Sequence, residues 1–216
     1  MSGVVDYSFS PEALAARALD RLSLAVPDLA PGKQLHGDHH LNPDIQPEMI
    51  PGRRLAAVLV PVVARPEEAT VLLTRRASHL RQHSGQVAFP GGKVDAEDSS
   101  PMAAALREAE EEIGLDRRFV RPLGYLDPYL TTTGFDILPV LSIVEPGFDL
   151  TINRDEVELA FEVPLAFLMT PANHVMGSRE WKGMERRFYT MPYGDHYIWG
   201  VTAGIVRAMY QRLYAA

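Results

Sequence analysis

The feature that most constrains this chain is a helix signal over residues 100–115 with clearly marked ends. Ser100 is suited to cap the N-terminus, Pro101 to occupy the first turn, and Gly114 to follow the last turn. At about 100° per residue, one stripe of this helix is apolar and is predicted to face a core. The stripe consists of Met102, Leu106, Ala109 and Ile113. The rest of the chain must therefore supply a layer against which this helix packs.

The other side of the same helix carries carboxylates. Glu108, Glu111 and Glu112 are spaced three and four residues apart, which places them on one face, and Arg107 lies at the edge of that face. Like charges at these spacings repel, so the pattern needs an explanation. One explanation is a solvated helix surface. The other is a hard divalent cation such as Mg²⁺ or Mn²⁺, which prefers carboxylate oxygens.

A pair of glycines precedes the helix. Phe89 and Pro90 end a short apolar run at Gly91 and Gly92, which predicts a strand end followed by a turn that no side chain obstructs. Bare backbone of this kind can face a metal ion or a phosphate oxygen. A Gly-Gly turn alone is usually only a turn, but a strand, a bare loop and an acidic helix together favour a site for metal and phosphate.

Strand signals lie on both sides of the central helix, and residues 65–68 are typical of a hairpin turn. The predicted strands are residues 55–63, 70–74, 86–89, 123–126, 137–144, 157–163 and 187–191. A C-terminal helix is predicted over residues 199–213. This arrangement favours an α/β layered domain with a mixed sheet.

The N-terminal part of the chain has a different character. Residues 10–24 predict a short amphipathic helix, whereas residues 25–54 contain five prolines and no sustained apolar period, which predicts a loop or linker. Three histidines in that segment could bind a metal, but solvated loop residues explain them better. They are His36, His39 and His40. We expect an N-terminal helix and Pro-rich extension over residues 1–50 and one domain over residues 51–216.

Composition excludes several classes of protein. Asp and Glu outnumber Lys and Arg by 28 to 21, for a formal net charge of −7, so electrostatic binding to nucleic acid is not expected. The absence of cysteine excludes disulfides, thiol catalysis and cysteine-bound zinc. The longest apolar run, residues 55–64, is too short for a membrane span, and the first residues lack a secretory pattern. We expect a cytoplasmic protein without membrane partners, and a homodimer is an open option.

The stretch from Gly92 to Leu115 resembles the signature of the Nudix hydrolases, G-x5-E-x7-R-E-U-x-E-E-x-G-U, in which U is apolar. Asp98 replaces the usual glutamate, and the spacer before Arg107 is one residue longer. The preceding residues, LLTRRASHLRQHSGQVAFPGG from Leu72, resemble the pattern LLTxR[SA]xxxRxxxGxxxFPGG of the coenzyme A pyrophosphatase subgroup. The two motifs together cover residues 72–115.

The resemblance implies a Nudix-type α/β/α sandwich and assigns roles at the acidic helix. Glu108, Glu111 and Glu112 are the candidate ligands of Mg²⁺ or Mn²⁺, joined by the carbonyl of Gly91. Arg107 is expected to hold a glutamate of the motif in place by an ion pair. Asp98 is expected to hydrogen bond within the loop rather than to bind metal.

Three glutamates remain open as the general base: Glu111, Glu112 and Glu156, the last in a later loop. Besides its diphosphate, coenzyme A carries a 3′-phosphate on its adenosine. This phosphate calls for a basic contact away from the metal site. The candidates for substrate binding are Arg75, Arg76, Arg81, His83 and Gly92. The loop over residues 129–135 is either one wall of a groove for the pantetheine arm or an ordinary surface loop.

The implied reaction is metal-dependent hydrolysis of the diphosphate in coenzyme A or its derivatives, giving 3′,5′-ADP and 4′-phosphopantetheine. Two alternatives stay open. One is a Nudix pyrophosphatase for another nucleoside diphosphate derivative such as ADP-ribose. The other is a ligand sensor that keeps the fold without catalysis, although sensors of this kind often lose glutamates that this chain retains.

Overall fold

The computed structural model describes residues 7–29, 35–44, 52–181 and 183–215. Nine of the described strands form one mixed sheet. They are β1 (His36–Gly37), β2 (Arg54–Val63), β3 (Thr70–Arg76), β4 (Val87–Ala88), β5 (Gly91–Lys93), β6 (Val120–Tyr125), β7 (Tyr129–Leu130), β8 (Phe135–Val144) and β9 (Val157–Pro164). A second, antiparallel sheet consists of β10 (Val175–Trp181), β11 (Met184–Tyr193) and β12 (His196–Trp199). The helices are α1 (Pro11–Arg21), α2 (Pro101–Ile113), α3 (Leu165–Leu168) and α4 (Gly200–Leu213).

A long parallel pair sets the register of the main sheet. β2 runs parallel to β8 along its whole length, from Arg54 opposite Phe135 to Val63 opposite Val144. The predicted hairpin turn leads from β2 into antiparallel β3, and β9 pairs with the other edge of β3. Most of β2 is buried. Burial on both faces explains why its sequence is an unbroken apolar run rather than an alternating one.

Helices cover the two faces of this sheet. On one face, Ala109 of α2 packs in a cluster with Leu59 of β2. On the other, Leu14 of α1 and Val206 of α4 share a cluster with Val60. Successive residues of β2 thus serve opposite layers, as the pleat of a strand requires. The predicted α/β/α sandwich with a mixed sheet is confirmed.

The predicted helix ends are also confirmed. Ser100 accepts a hydrogen bond from the backbone N–H of Ala103 at 3.1 Å, and Gly114 ends α2 in the left-handed conformation, with φ of 68°. Each predicted strand overlaps an observed one. Among the described residues, no helix is both long and apolar enough to cross a bilayer.

The prediction of a loop over residues 25–54 is wrong in part. His36 and Gly37 form β1, which pairs in parallel with β7, and residues 38–40 form a short 3-10 helix. His36 is largely buried and lies 3.3 Å from a carboxylate oxygen of Asp127, so it is not a solvated loop histidine. Residues 30–34 and 45–51 lie outside the described residues. The domain boundary at residue 50 stays a prediction.

Two further expectations need correction. The Gly-Gly segment is not a turn but the short strand β5, which pairs antiparallel with β2, Gly91 opposite Val58. The second sheet is larger than the single strand predicted at residues 187–191. β10 and β12 escaped prediction because their residues are mostly exposed or polar and show no clear apolar alternation.

Replacing Glu162 with glutamine should lower the free energy of unfolding at pH 7 by about 1 kcal/mol, a value kept small by solvent screening at the sheet edge. Arg65 binds this carboxylate through two nitrogens, at 2.5 and 3.1 Å, and Thr70 donates to it at 2.5 Å. The hydrogen bonds from Arg65 lower the pKa of Glu162. The stabilisation is therefore complete above the ordinary glutamate pKa and is lost as pH falls through the lowered one.

Urea unfolding at pH 7 and at pH 3 checks this, with Glu67→Gln in the exposed hairpin turn as the matched control. The gap between the wild type and Glu162→Gln should narrow at pH 3. A gap of equal size at both pH values would contradict the assignment.

Candidate active site

The acidic side chains of α2 differ in their exposure to solvent. Glu112 is buried, with 3% of its surface exposed, and its Oε2 accepts a hydrogen bond from the backbone N–H of Gly91 at 3.1 Å. Glu111 is exposed. Met102 and Leu106, predicted to be core residues, are only half-buried. The helix is rotated relative to the predicted orientation because its acidic side lies against β5.

Glycine is what lets β5 lie so close to the helix and to β2. A Cβ atom on Gly91 would lie 2.4 Å from the carbonyl oxygen of Ala57, and the φ of this glycine is 152°. A Cβ atom on Gly92 would lie 2.4 Å from Oε1 of Glu108. The Glu108 carboxylate therefore rests directly on the backbone of β5, beside the carboxylate of Glu112.

Arg107 organises the acids around it. Its guanidinium donates to both oxygens of Asp98, each at 3.0 Å, and to Glu108 at 3.1 Å and Glu111 at 2.9 Å. These contacts lower the pKa of Asp98, chiefly through the hydrogen bond from Arg107. Asp98 also accepts from the backbone N–H of Asp95 at 2.9 Å. Asp98 therefore still contacts Arg107, although its side chain is shorter than the usual glutamate and the spacer before Arg107 is one residue longer. The hydrogen bonding expected for Asp98 is present.

The carboxylates of α2 and of one later loop influence one another. Burial raises the pKa of Glu112 to about 7, the N–H of Gly91 opposes this, and the charges of Glu108 and Glu156 raise it further. Burial likewise raises the pKa of Glu108; Arg107 opposes this effect, and Glu156 adds to it. The charges of Glu108, Glu112 and Glu156 therefore act on one another, and the exposed Glu111 adds to the effect on Glu108. Such a cluster favours a bound cation.

Glu156 reaches this cluster through the main sheet. It lies just before β9, and its backbone carbonyl accepts a hydrogen bond from the N–H of Ala77 at 2.9 Å, beyond the end of β3. Asn153 donates to its side chain at 3.3 Å. The pairing of β3 with β9 therefore brings a glutamate from a distant part of the sequence close enough to the acidic helix for its charge to act on Glu108 and Glu112.

The two arginines at the end of β3 diverge. Arg76 approaches Glu112, with 3.9 Å between nitrogen and oxygen, and lines the adjacent cavity. Arg75 instead binds Glu158 at 2.9 Å. Neighbouring residues of a strand point to opposite faces, which separates the pair. The buried Nε of Arg76 has no hydrogen-bond partner within the described part of the chain.

The other upstream candidates are also separated. His83 lines the cavity, has an unusual positive φ of 56°, and its Nδ1 lies 2.9 Å from the side-chain oxygen of Gln86. Arg81 is exposed and does not line the cavity. The structure thus places Arg76 and His83 on the lining of the cavity and leaves Arg75 and Arg81 outside it.

A cavity of about 740 Å³ opens beside β5, within the usual size of ligand sites. Gly91 and Arg76 lie on its lining, together with Thr131, Thr132 and Phe135. Part of the loop over residues 129–135 therefore lines this cavity, and its role as a wall for the pantetheine arm stays a prediction.

The opposite wall was missed by sequence reasoning. It is built from the second sheet, and its side chains are Arg179, Trp181, Arg186, Phe188 and Trp199. No motif marks these residues. The only signal in the sequence is the two-residue spacing of Arg179 and Trp181 and of Arg186 and Phe188, which in a strand places both members of each pair on one face.

The oxygen-only donor set of the acidic cluster suits Mg²⁺ or Mn²⁺ in chemical type. Among the described residues, no three His, Asp or Glu side chains converge closely enough to form a preformed metal site. Their oxygens are instead engaged by Arg107 and by the N–H of Gly91. Metal binding at this cluster is therefore a proposal, taken up below.

Comparison with known proteins identifies the class to which this chain belongs. A family model of the NUDIX domain matches residues 53–182. NudL of Escherichia coli strain K12, described as an uncharacterized Nudix hydrolase, is 42% identical over 169 residues, or 78% of this chain and 87% of that protein. NudL of Enterobacter sp. strain 638 is 43% identical over 157 residues, or 73% and 81%. The chain belongs to the Nudix hydrolase family.

A solved structure adds a more distant likeness. The Nudix hydrolase RenU of M. smegmatis is 26% identical, with a TM-score of 0.44, over 52% of this chain and 71% of that one.

Replacing Gly91 with alanine should destabilise the protein by about 2–3 kcal/mol, because the new Cβ meets fixed backbone and the φ is unfavourable. Replacing Gly92 with alanine should cost under about 1 kcal/mol, because the atom it meets is the end of a flexible glutamate. Thermal and urea unfolding of the two variants test this contrast. Equal losses of stability would show that the close approach of β5 is not as described.

Proposed function

We propose that this chain hydrolyses the diphosphate linkage of coenzyme A or its derivatives, giving 3′,5′-ADP and 4′-phosphopantetheine or its acyl form. The observation that carries the proposal is the position of Glu108 and Glu112 against β5, whose Gly91 lines the same cavity as Arg76. A diphosphate is polyanionic, so it needs cations at the point where this acidic protein cleaves it. The coenzyme A substrate itself rests on the upstream pattern over residues 72–92.

Glu108, Glu111 and Glu112, with the carbonyl of Gly91, are the residues that would hold Mg²⁺ or Mn²⁺. When bound, these ions neutralise charge on the phosphate oxygens and lower the pKa of coordinated water. The side chains of Glu108 and Glu112 already lie against β5, although one oxygen of each is engaged by Arg107 or by the N–H of Gly91. Glu111 would have to leave its contact with Arg107 or share it.

The other residues act by positioning. Arg107 ties Glu108 and Glu111 to Asp98 and so limits the freedom of two carboxylates that repel each other. Arg76 supplies a guanidinium close to Glu112, where a diphosphate oxygen would be bound. The bare backbone of Gly92 lets the Glu108 carboxylate lie against β5, and Gly92 is proposed to contact substrate through its backbone.

The proton acceptor for the attacking water is one of Glu111, Glu112 and Glu156. Glu156 is the one outside the helix, and its side chain accepts a hydrogen bond from Asn153 at 3.3 Å. His83 completes the lining near Arg76 and is proposed to contact substrate. Arg75 and Arg81, also proposed for substrate, would have to act from outside the cavity. We further propose a cytoplasmic enzyme that acts on a small molecule, and leave a homodimer open.

Incubation with coenzyme A and Mg²⁺ or Mn²⁺, followed by chromatography of the products, tests the substrate. We expect 3′,5′-ADP to appear only when the metal is added. Rapid cleavage of ADP-ribose or a dinucleotide, without cleavage of coenzyme A, would replace the proposed substrate by another nucleoside diphosphate derivative. No turnover of any of these compounds would favour a ligand sensor.

Glu108→Gln and Glu112→Gln should each lower kcat by about 100-fold or more, since each removes a charge at the reacting phosphate while conserving shape. Glu110→Gln is the matched control, because Glu110 lies on the same helix but binds Arg117. Circular dichroism and thermal unfolding should show that all three variants fold. Full activity in both test variants would remove the role assigned to the acidic helix.

A further inference from the structure

The cavity wall supplied by the second sheet contains an unusual pair of like charges. Arg179 of β10 lies directly opposite Arg186 of β11, and both line the cavity. Neither forms an ion pair with a carboxylate within the described part of the chain. Like charges directly opposite each other on one face of a sheet are destabilising. The arrangement calls for an anion in the cavity.

Aromatic rings surround this pair on the same face. The guanidinium of Arg179 lies 5.2 Å from the ring centroids of both Trp181 and Trp199. Phe188 packs against Trp199 at 5.2 Å between centroids. Trp181 is half exposed at the cavity wall. Flat apolar surface next to two guanidiniums has the chemistry of a site for a nucleobase and a phosphate.

The other nearby arginines are already engaged elsewhere. Arg187 also lines the cavity, but its guanidinium pairs with Glu185 at 3.3 Å. Arg75 is bound to Glu158, Arg81 lies outside the cavity, and Arg76 stands near Glu112, where the diphosphate would be cleaved. Within the described residues, the pair on the second sheet is therefore the best placed to bind a phosphate group that is separate from the diphosphate.

We propose that Arg179 and Arg186 bind a phosphomonoester on the ribose of the substrate, and that Trp181 and Trp199 provide the surface on which its purine stacks. The proposal rests on the proposed function and deepens it, because it names the part of the chain that distinguishes a 3′-phosphorylated nucleotide from one without that phosphate. The proposal assigns the binding of this phosphate to the second sheet, which carries no motif, rather than to the upstream motif.

Kinetics with coenzyme A and with dephospho-coenzyme A, which lacks the 3′-phosphate, tests the proposal. The wild type should prefer coenzyme A in kcat/KM. The double variant Arg179→Ala/Arg186→Ala should lose about 100-fold in kcat/KM for coenzyme A, mainly through KM, and much less for dephospho-coenzyme A, as expected for lost charge-assisted hydrogen bonds. Arg179→Lys/Arg186→Lys should restore part of the preference. Arg121→Ala, an exposed arginine of β6, is the control and should behave as the wild type.

A binding measurement without metal or turnover separates this proposal from the proposed function. The two tryptophans of the protein are Trp181 and Trp199, so its tryptophan fluorescence reports on this wall alone. We expect 3′,5′-ADP to quench the fluorescence at lower concentration than 5′-AMP, and the double alanine variant to remove the difference. Thermal unfolding confirms that each variant is folded.

The outcomes are distinct. Tighter binding of 3′,5′-ADP than of 5′-AMP, without cleavage of coenzyme A, would keep the binding wall and overturn the proposed function. Cleavage of coenzyme A with no preference over dephospho-coenzyme A, and equal binding of the two nucleotides, would overturn the phosphate-binding role of this wall. A preference that survives in the double alanine variant would place the phosphate elsewhere.

Discussion

The close contact between β5 and α2 is the constraint on which the site depends. Two glycines without side chains let the strand lie against β2 on one side and against Glu108 and Glu112 on the other. Their backbone also supplies an N–H that binds a buried carboxylate. Any side chain at Gly91 would push the strand away from β2, and the acids would lose the surface that orients them. The positions of both carboxylates therefore depend on the absence of a side chain at these two glycines.

Charge is distributed unevenly over this molecule. The chain as a whole is acidic, yet the cavity is lined by Arg76, Arg179 and Arg186, while Glu108 and Glu112 lie outside its lining, against β5. Gly91 of β5 lies on the lining and also binds Glu112, so it connects the two regions. A substrate with a diphosphate at one point and other anionic groups further along matches this arrangement, because cations are needed only where its anionic groups lie. Arg107 connects the acids to the fold without entering the cavity lining.

The sequence predicted the layers of the fold well, and for a clear reason. β2 and β8 are mostly apolar because they are largely buried, and α2 has a cap at each end, so these elements can be recognised from the local sequence. Most of the three-stranded sheet was not predicted, because β10 is almost wholly exposed and neither β10 nor β12 shows a clear apolar alternation. β1 was not predicted because it lies in a proline-rich segment, and its pairing with β7 depends on residues far away in the sequence.

The sequence by itself determined the family, the acidic helix, the glycine pair and the candidate residues around them, since these are matters of spacing along one segment. Only the tertiary structure decided that Glu112 is buried, that Glu156 stands near it, and that Arg76 and His83 face the cavity while Arg75 and Arg81 do not. It alone revealed the wall of arginine and tryptophan. Those facts depend on strand pairing and on the rotation of one helix against a sheet, and both are set by contacts between distant segments.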